Sequence, residues 1–386
     1  MIPRQIQPEL LHQLDEYPIV TVLGPRQAGK TTLVRAVLPD YAYVSLENPD
    51  ARLLANEDPK AFLKTYPAPA IFDEIQRAPH LLSYLQGIVD ETKGNGHYVL
   101  TGSHQLQLRE GISQSLAGRT GILQLLPLSI AELKGGGIEF DDASQYLMHG
   151  FLPRVYDQKQ RPYTAYANYF QTYVERDVRQ LIKLKEVVLF EKFMKLLAGR
   201  VGQVINYQSL SNDVGVDGMT IKAWLSILEA SYVVFRLPPH FENFGKRVIK
   251  TPKIYFTDTG LLCYLLGIEK LDQVARDPLI GNLFENMVLL EALKARYNRG
   301  MTPNLYFYRD NQGNEIDLLL QRGSELAGIE IKSASTWNSS FKKSIEHFNQ
   351  KIHSLSTRVV VYSGEEIGFT DGFKALSFKN VDQLVG

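Results

Sequence analysis

The sequence predicts an α/β protein whose first third is a parallel sheet with helices on both faces. Three observations predict it. From Tyr17 to about Leu126, short apolar segments alternate with amphipathic ones, the pattern of repeated strand–helix units. The stretch Gly24-Pro25-Arg26-Gln27-Ala28-Gly29-Lys30-Thr31 reads G-x-x-x-x-G-K-T, between a β-branched segment at Ile19–Leu23 and a helical run that begins at Thr32 and stops at Pro39. A further apolar segment, 70–72, ends in Asp73-Glu74.

The glycine-rich stretch is a phosphate cradle. Its glycines let backbone N–H groups turn inward, and the following helix adds the partial positive charge of its N-terminus. Residues Gly24, Pro25, Arg26, Gln27, Ala28, Gly29, Lys30, Thr31 and Thr32 are therefore the expected nucleotide-binding set. Lys30 would reach the β- and γ-phosphates of ATP, and the Thr31 hydroxyl would hold Mg²⁺. Asp73 would hold the same Mg²⁺ through its water shell, and Glu74 would orient or deprotonate the attacking water.

Composition sets the wider bounds. A chain of 386 residues has room for two or three domains. Its 42 basic and 42 acidic residues balance, so affinity for nucleic acid must come from local patches rather than a global field. The single cysteine, Cys263, stands in the apolar run 261–266 and reads as core. No signal segment opens the chain, and no apolar run reaches the roughly 18 residues that span a bilayer. A cytoplasmic protein without a membrane partner is expected.

In chain order, residues 1–15 read as a lead-in helix or arm. Strands are expected at 19–23, 41–46, 70–73, 98–101 and 122–126. The fourth runs into Gly102-Ser103, where Ser103 would sense the γ-phosphate. Arg119, between a helix and the fifth strand, is either a finger for the transferring phosphate, in cis or from a neighbouring subunit, or a solvated surface arginine. A triple glycine at 135–137 reads as a loop, and a long helix is expected over 163–184.

From Asn206 the pattern changes. Helices over 208–213 and 220–231 flank a turn at Gly215, and two strands follow at 232–237 and 253–257. Helix, turn, helix and two-stranded wing is the order of a winged helix. The loop between the strands carries Lys246, Arg247 and Lys250, flanked by Arg236 and Lys253, against one acid, Glu242. These cations either neutralise DNA phosphates or form an ordinary solvated surface.

The last segment returns to α/β, with a helix at 284–297 and strands at 305–309, 315–321, 328–332 and 359–362. Asp317 enters one strand, and Glu330 and Lys332 share a face of the next. Pairing of those strands would bring two carboxylates and a lysine together, the set that metal-dependent phosphodiester cleavage requires. The same set also fits a charged strand face without chemistry.

The chain resembles the prokaryotic AAA+-type ATPases that carry a C-terminal domain of the PD-(D/E)XK nuclease fold. The resemblance lies in 24–31, Asp73-Glu74, Thr101-Gly102-Ser103, Gly118-Arg119 followed by 125–129, and 251–261 after the wing. It implies an ATPase domain over 1–135, a helical linker and winged helix over 136–270, and a nuclease-like domain over 271–386. It also implies a homo-oligomer, a ring being one form it could take, with DNA as the partner. Asp317 and Glu330 would be the nuclease metal ligands, Lys332 its catalytic lysine and Glu285 its helical acid. Ile316 stands where the pattern has proline. The rival expectation is an ATP-controlled switch whose C-terminal domain docks a partner instead of cleaving.

Overall fold

A computed structural model describes residues 2–103, 114–174, 187–240, 251–310 and 312–385. Strands β1 (Ile19–Leu23), β2 (Ala42–Ser45), β3 (Ala70–Asp73), β4 (Tyr98–Gly102) and β5 (Thr120–Gln124) form one sheet in the order β2-β3-β4-β1-β5. Every pairing in it is parallel. The central strands β1, β3 and β4 are buried along their whole length, which is why they read as mainly apolar rather than alternating. Alternate side chains enter two cores. Val20, Val22, Ile71 and Val99 pack with Leu33 and Val34 of the helix after the glycine-rich loop, while Ile19, Leu23, Phe72 and Leu100 face the other side.

Strand β5 starts two residues earlier than its apolar pattern suggests. It is an edge strand paired to β1 from Ile19↔Thr120 onward, so its outer side chains gain little burial and Ile122 stays exposed. The lead-in helix is present at Gln7–Glu16. The helix expected over 163–184 is described only in its first part, Pro162–Tyr169 continuing through Phe170–Val174; the remainder of that expectation lies outside the described residues.

In the middle region, helices Tyr207–Val214 and Gly218–Ala230 meet at Gly215, whose φ of +92° needs glycine. The Asp217 carboxylate caps the second helix through the Met219 and Thr220 N–H groups. That helix buries Trp224 against Phe190 and Phe193 of Val187–Ala198. Strands β6 (Val234–Leu237) and β7 (Lys253–Phe256) follow as an antiparallel pair.

The C-terminal part is a mixed sheet with one face packed on the helix Ile280–Tyr297. Its strands are β8 (Leu305–Arg309), β9 (Glu315–Arg322), β10 (Glu325–Lys332), β11 (Thr357–Tyr362), β12 (Ile367–Gly368) and β13 (Phe373–Ser377), in the order β12-β13-β11-β10-β9-β8. The last two strands were not expected from the sequence. In β13 the alternation is short and half polar (Phe373, Lys374, Ala375), and its pairing partner β11 lies across a long connection. Cys263 is buried, as its apolar surroundings predict.

Candidate functional site

The sheet order places three loops side by side. Strand β4 lies between β1 and β3, so the segments leaving the carboxyl ends of all three converge, the usual place for a ligand in a parallel sheet. The loop after β1 is held tightly. A Cβ at Gly24 would lie 2.0 Å from the Leu125 carbonyl oxygen, and Gly29 adopts φ +91°. Both positions therefore require glycine. The Lys30 ammonium donates to the carbonyls of Gly24 (2.9 Å) and Pro25 (2.8 Å). Burial lowers its pKa to about 8, against the opposing pull of Glu74 and Asp73.

Asp73 is the hub of the second loop. It accepts the Thr31 hydroxyl at 3.0 and 3.1 Å on its two oxygens, Tyr43 OH at 2.9 Å, and the Thr101 hydroxyl. Glu74 follows in a left-handed conformation, φ 58°, which turns its carboxylate out of the strand line. There it accepts Ser103 Oγ at 3.2 Å and the Gln76 amide, while its own N–H donates to Thr101 at 3.2 Å. Ser103, expected beside the phosphates, is fully buried and bonds to Glu74. Tyr43 and Gln76 are contributors that the sequence reading missed, and Thr101, which it gave no role of its own, bonds to Asp73. Lys30, Thr31 and Glu74 line one cavity of about 990 Å³, with Ile2, Ile138 and Tyr156 supplying an apolar wall, dimensions suited to a small-molecule ligand.

Arg4 was also missed. Its guanidinium donates to the Ala28 carbonyl of the loop (2.6 Å), to the Leu126 carbonyl after β5 (2.6 Å) and to Glu132 Oε1 (3.0 Å). Glu132 closes a capping box with Ser129 at the start of helix Ile130–Gly135. Next to it, Glu291 and Lys294 of the long C-terminal helix bond to the Ile130 N–H (2.8 Å) and the Leu128 carbonyl (2.6 Å). A buried chain of polar contacts thus runs from the loop to the C-terminal part. No local signal marks Arg4, because its partner Glu132 is 128 residues away.

Arg119 does not reach this site within the same chain. It precedes Thr120, which pairs with Ile19 at the start of β1, so it sits at the opposite end of the sheet from the loop that follows Leu23. Four strand steps of roughly 3.3 Å already separate the two ends. The cis half of the finger expectation is thereby corrected. The side chain, about one-third exposed, forms a two-pronged pair with Asp90 at 2.6 and 2.9 Å; the Arg119 hydrogen bond lowers the Asp90 pKa.

In the C-terminal part, pairing of β9 with β10 does bring Asp317, Glu330 and Lys332 together. Lys332 Nζ lies 2.6 Å from Glu330 Oε1 and 3.9 Å from Asp317 Oδ2, and Asp317 also accepts the Ile331 N–H at 2.8 Å. An unexpected cation joins them. Lys253, on β7, lies 3.1 Å from Glu285 Oε1 and 2.5 Å from Glu315 Oε1. Burial works to lower its pKa, yet Glu285, Asp317 and Glu315 together hold it above the ordinary lysine value. Burial, aided by Asp317, raises Glu330 to about 8; burial raises Glu285 to about 7 despite Lys253.

This changes the charge count around the β6–β7 pair. Lys253 faces carboxylates, not solvent, and Arg236 pairs with Glu229 at 3.0 Å, so neither is a spare cation for a phosphate backbone. Lys246, Arg247 and Lys250 lie outside the described residues.

Family models match three successive segments of the chain: an AAA domain over residues 16–134, and two domains of unknown function, DUF8612 over 140–272 and DUF4143 over 280–381. The uncharacterized proteins Rv2008c of Mycobacterium tuberculosis and Mb2031c of Mycobacterium bovis are each 33% identical over 369 residues, covering 94% of this chain and 80% of theirs. The chain belongs to their family. Among solved structures, the Walker-type ATPase PABY2304 of Pyrococcus abyssi is similar at 15% identity, with TM-score 0.47 over 69% of this chain and 96% of that one. This member of the Rv2008c family is a nucleotide-binding ATPase of the AAA class, its parallel sheet that of a P-loop NTPase. No helix among its described residues is long and apolar enough to cross a membrane.

Proposed function

We propose that ATP is bound at 24–32 and hydrolysed with Glu74 as the group that orients water, and that the energy is spent on DNA. The observation that carries the hydrolytic part is the joint placement of Thr31, Asp73 and Glu74 at the carboxyl edge of the sheet. The oxygen donors there fit a hard cation. Mg²⁺ held by Thr31 and, through water, by Asp73 would neutralise charge on the β- and γ-phosphates. Lys30 would exchange its loop carbonyls for phosphate oxygens. Ser103 and Gln76 hold Glu74 ready, and so report on what occupies its carboxylate.

DNA is proposed because the helix–turn–helix and two-stranded pair follow the order of a winged helix, with Lys246, Arg247 and Lys250 between the strands. Steady-state ATPase measured with and without duplex DNA tests it. Stimulation by DNA is expected. Replacing the three cations with Ala should weaken DNA binding on all sequences alike and lower the salt slope by about one per lost phosphate contact. An unchanged slope would return them to ordinary surface.

Arg119 is proposed to act across a subunit boundary of a homo-oligomer, since it faces away from its own nucleotide. Mixing Arg119→Ala with Glu74→Gln subunits should then recover activity, because an intact Glu74 meets an intact Arg119 at the mixed interface. A mixture no more active than its components would refute the idea.

A second reading is that ATP controls partner docking by the C-terminal part, whose resemblance to the PD-(D/E)XK fold would then be architectural. Lys253 inside the carboxylate cluster favours it. ATPase indifferent to DNA would favour it further.

A further inference from the structure

The carboxylates that a nuclease of this resemblance would use do not fit a divalent metal as they stand. Glu285 and Glu315 each bond to the Lys253 ammonium, Glu330 Oε1 bonds to Lys332, and Asp317 Oδ2 accepts a backbone N–H. One oxygen of each of these four carboxylates is thus committed to a donor within the chain, and Glu330 Oε2 is buried without a hydrogen-bond partner. Among the described residues no group of three or more His, Cys, Asp or Glu side chains is placed to hold a metal ion.

We propose that Lys253 is the resident cation of this cluster: a tethered ammonium that takes the place of a divalent metal and locks β7 onto the C-terminal sheet. The placement argues for it. Lys253 is 2% exposed, and its Nζ lies between carboxylates from two different elements, the helix Ile280–Tyr297 and β9. Tyr255, two residues on and so on the same face of β7, donates to Glu285 as well. The register of β7 is fixed beside them, because Asn286 bonds both the N–H and the carbonyl of Phe256, at 2.8 and 2.9 Å. Lysine and tyrosine thus arrive together, aimed at the helical acid. Four carboxylates gathered without cations would repel one another strongly; Lys253 and Lys332 offset that repulsion from within the chain. The two ammonium groups also oppose a divalent ion that would enter beside them, by offsetting the negative charge that would draw it in. The inference concerns the C-terminal part alone and stands whether or not the reading of the ATP site does.

The test is Mn²⁺ binding to the full-length chain without nucleotide, followed by the electron paramagnetic resonance of free Mn²⁺. The wild type should show no Mn²⁺ site that disappears in Glu330→Gln. Lys253→Met should gain about one site per chain, lost again when Asp317→Asn is added, and Mn²⁺ should raise the melting temperature of Lys253→Met but not of the wild type. A wild-type site abolished by Glu330→Gln overturns the proposal, and so does a folded Lys253→Met that gains none. The wild-type arm decides even where the Lys253 variant fails to fold.

Discussion

Glu74→Gln is expected to slow ATP turnover by roughly two or more orders of magnitude, the loss that accompanies a missing general base, while ATP still binds. The substitution keeps the size of the side chain. An amide can still accept from Ser103, which lies 3.2 Å from the present carboxylate, so the loop after β3 should keep its shape. Asp73, Thr31 and Lys30 are untouched, and their mutual contacts do not pass through the Glu74 side chain. The defect should therefore fall on kcat and leave the affinity for a fluorescent ATP analogue near that of the wild type. Phosphate release followed under saturating ATP gives the first quantity, and equilibrium titration gives the second. Equal turnover by wild type and variant would remove Glu74 from the chemistry. Loss of binding together with turnover would make its role structural.

The nucleotide site was legible because its chemistry is written in neighbours. The loop 24–31 needs glycines where the backbone turns or closes on Leu125, and such needs appear directly as residue types. Asp73-Glu74 was legible for a similar reason, as a doubly buried strand that ends in charge. What the sequence hides is the partner across the fold. Lys253 reads as one more cation on a basic wing, because a charge is counted as exposed until a buried counter-charge is known; Glu285 and Glu315 lie on other elements. Arg119 was placed in chain order but not in space. Only the β1–β5 register shows that it sits at the far end of the sheet from the phosphate loop. Strand β13 escaped because its five residues gain their burial from β11 and not from a long apolar run.

Arg4→Ala is expected to weaken both the fold and the ATP site, and the two effects can be separated. The Arg4 and Glu132 side chains are 7% and 0% exposed. Removing the cation leaves Glu132 with its backbone donors, Gln5 and Ser129, but without its hydrogen-bonded counter-charge. Breaking a buried pair in this way costs about 3–5 kcal/mol, to be read as a lower urea midpoint at unchanged slope. The same guanidinium holds the Ala28 and Leu126 carbonyls, so the wall of the phosphate loop loses its brace. ATP should then bind to a loop that must be ordered on arrival, which raises KM more than it lowers kcat. Arg4→Lys separates charge from geometry. A lysine can neutralise Glu132, but it lacks the planar fork that reaches three acceptors at once. It should recover much of the stability and little of the ATP affinity. If Arg4→Lys restored both, the charge alone would matter. If Arg4→Ala lowered stability while KM stayed at the wild-type value, Arg4 would tie the N-terminal arm to helix Ile130–Gly135 without positioning the loop. The intermediate pattern, with stability rescued and KM not, is what three directed bonds from one guanidinium predict.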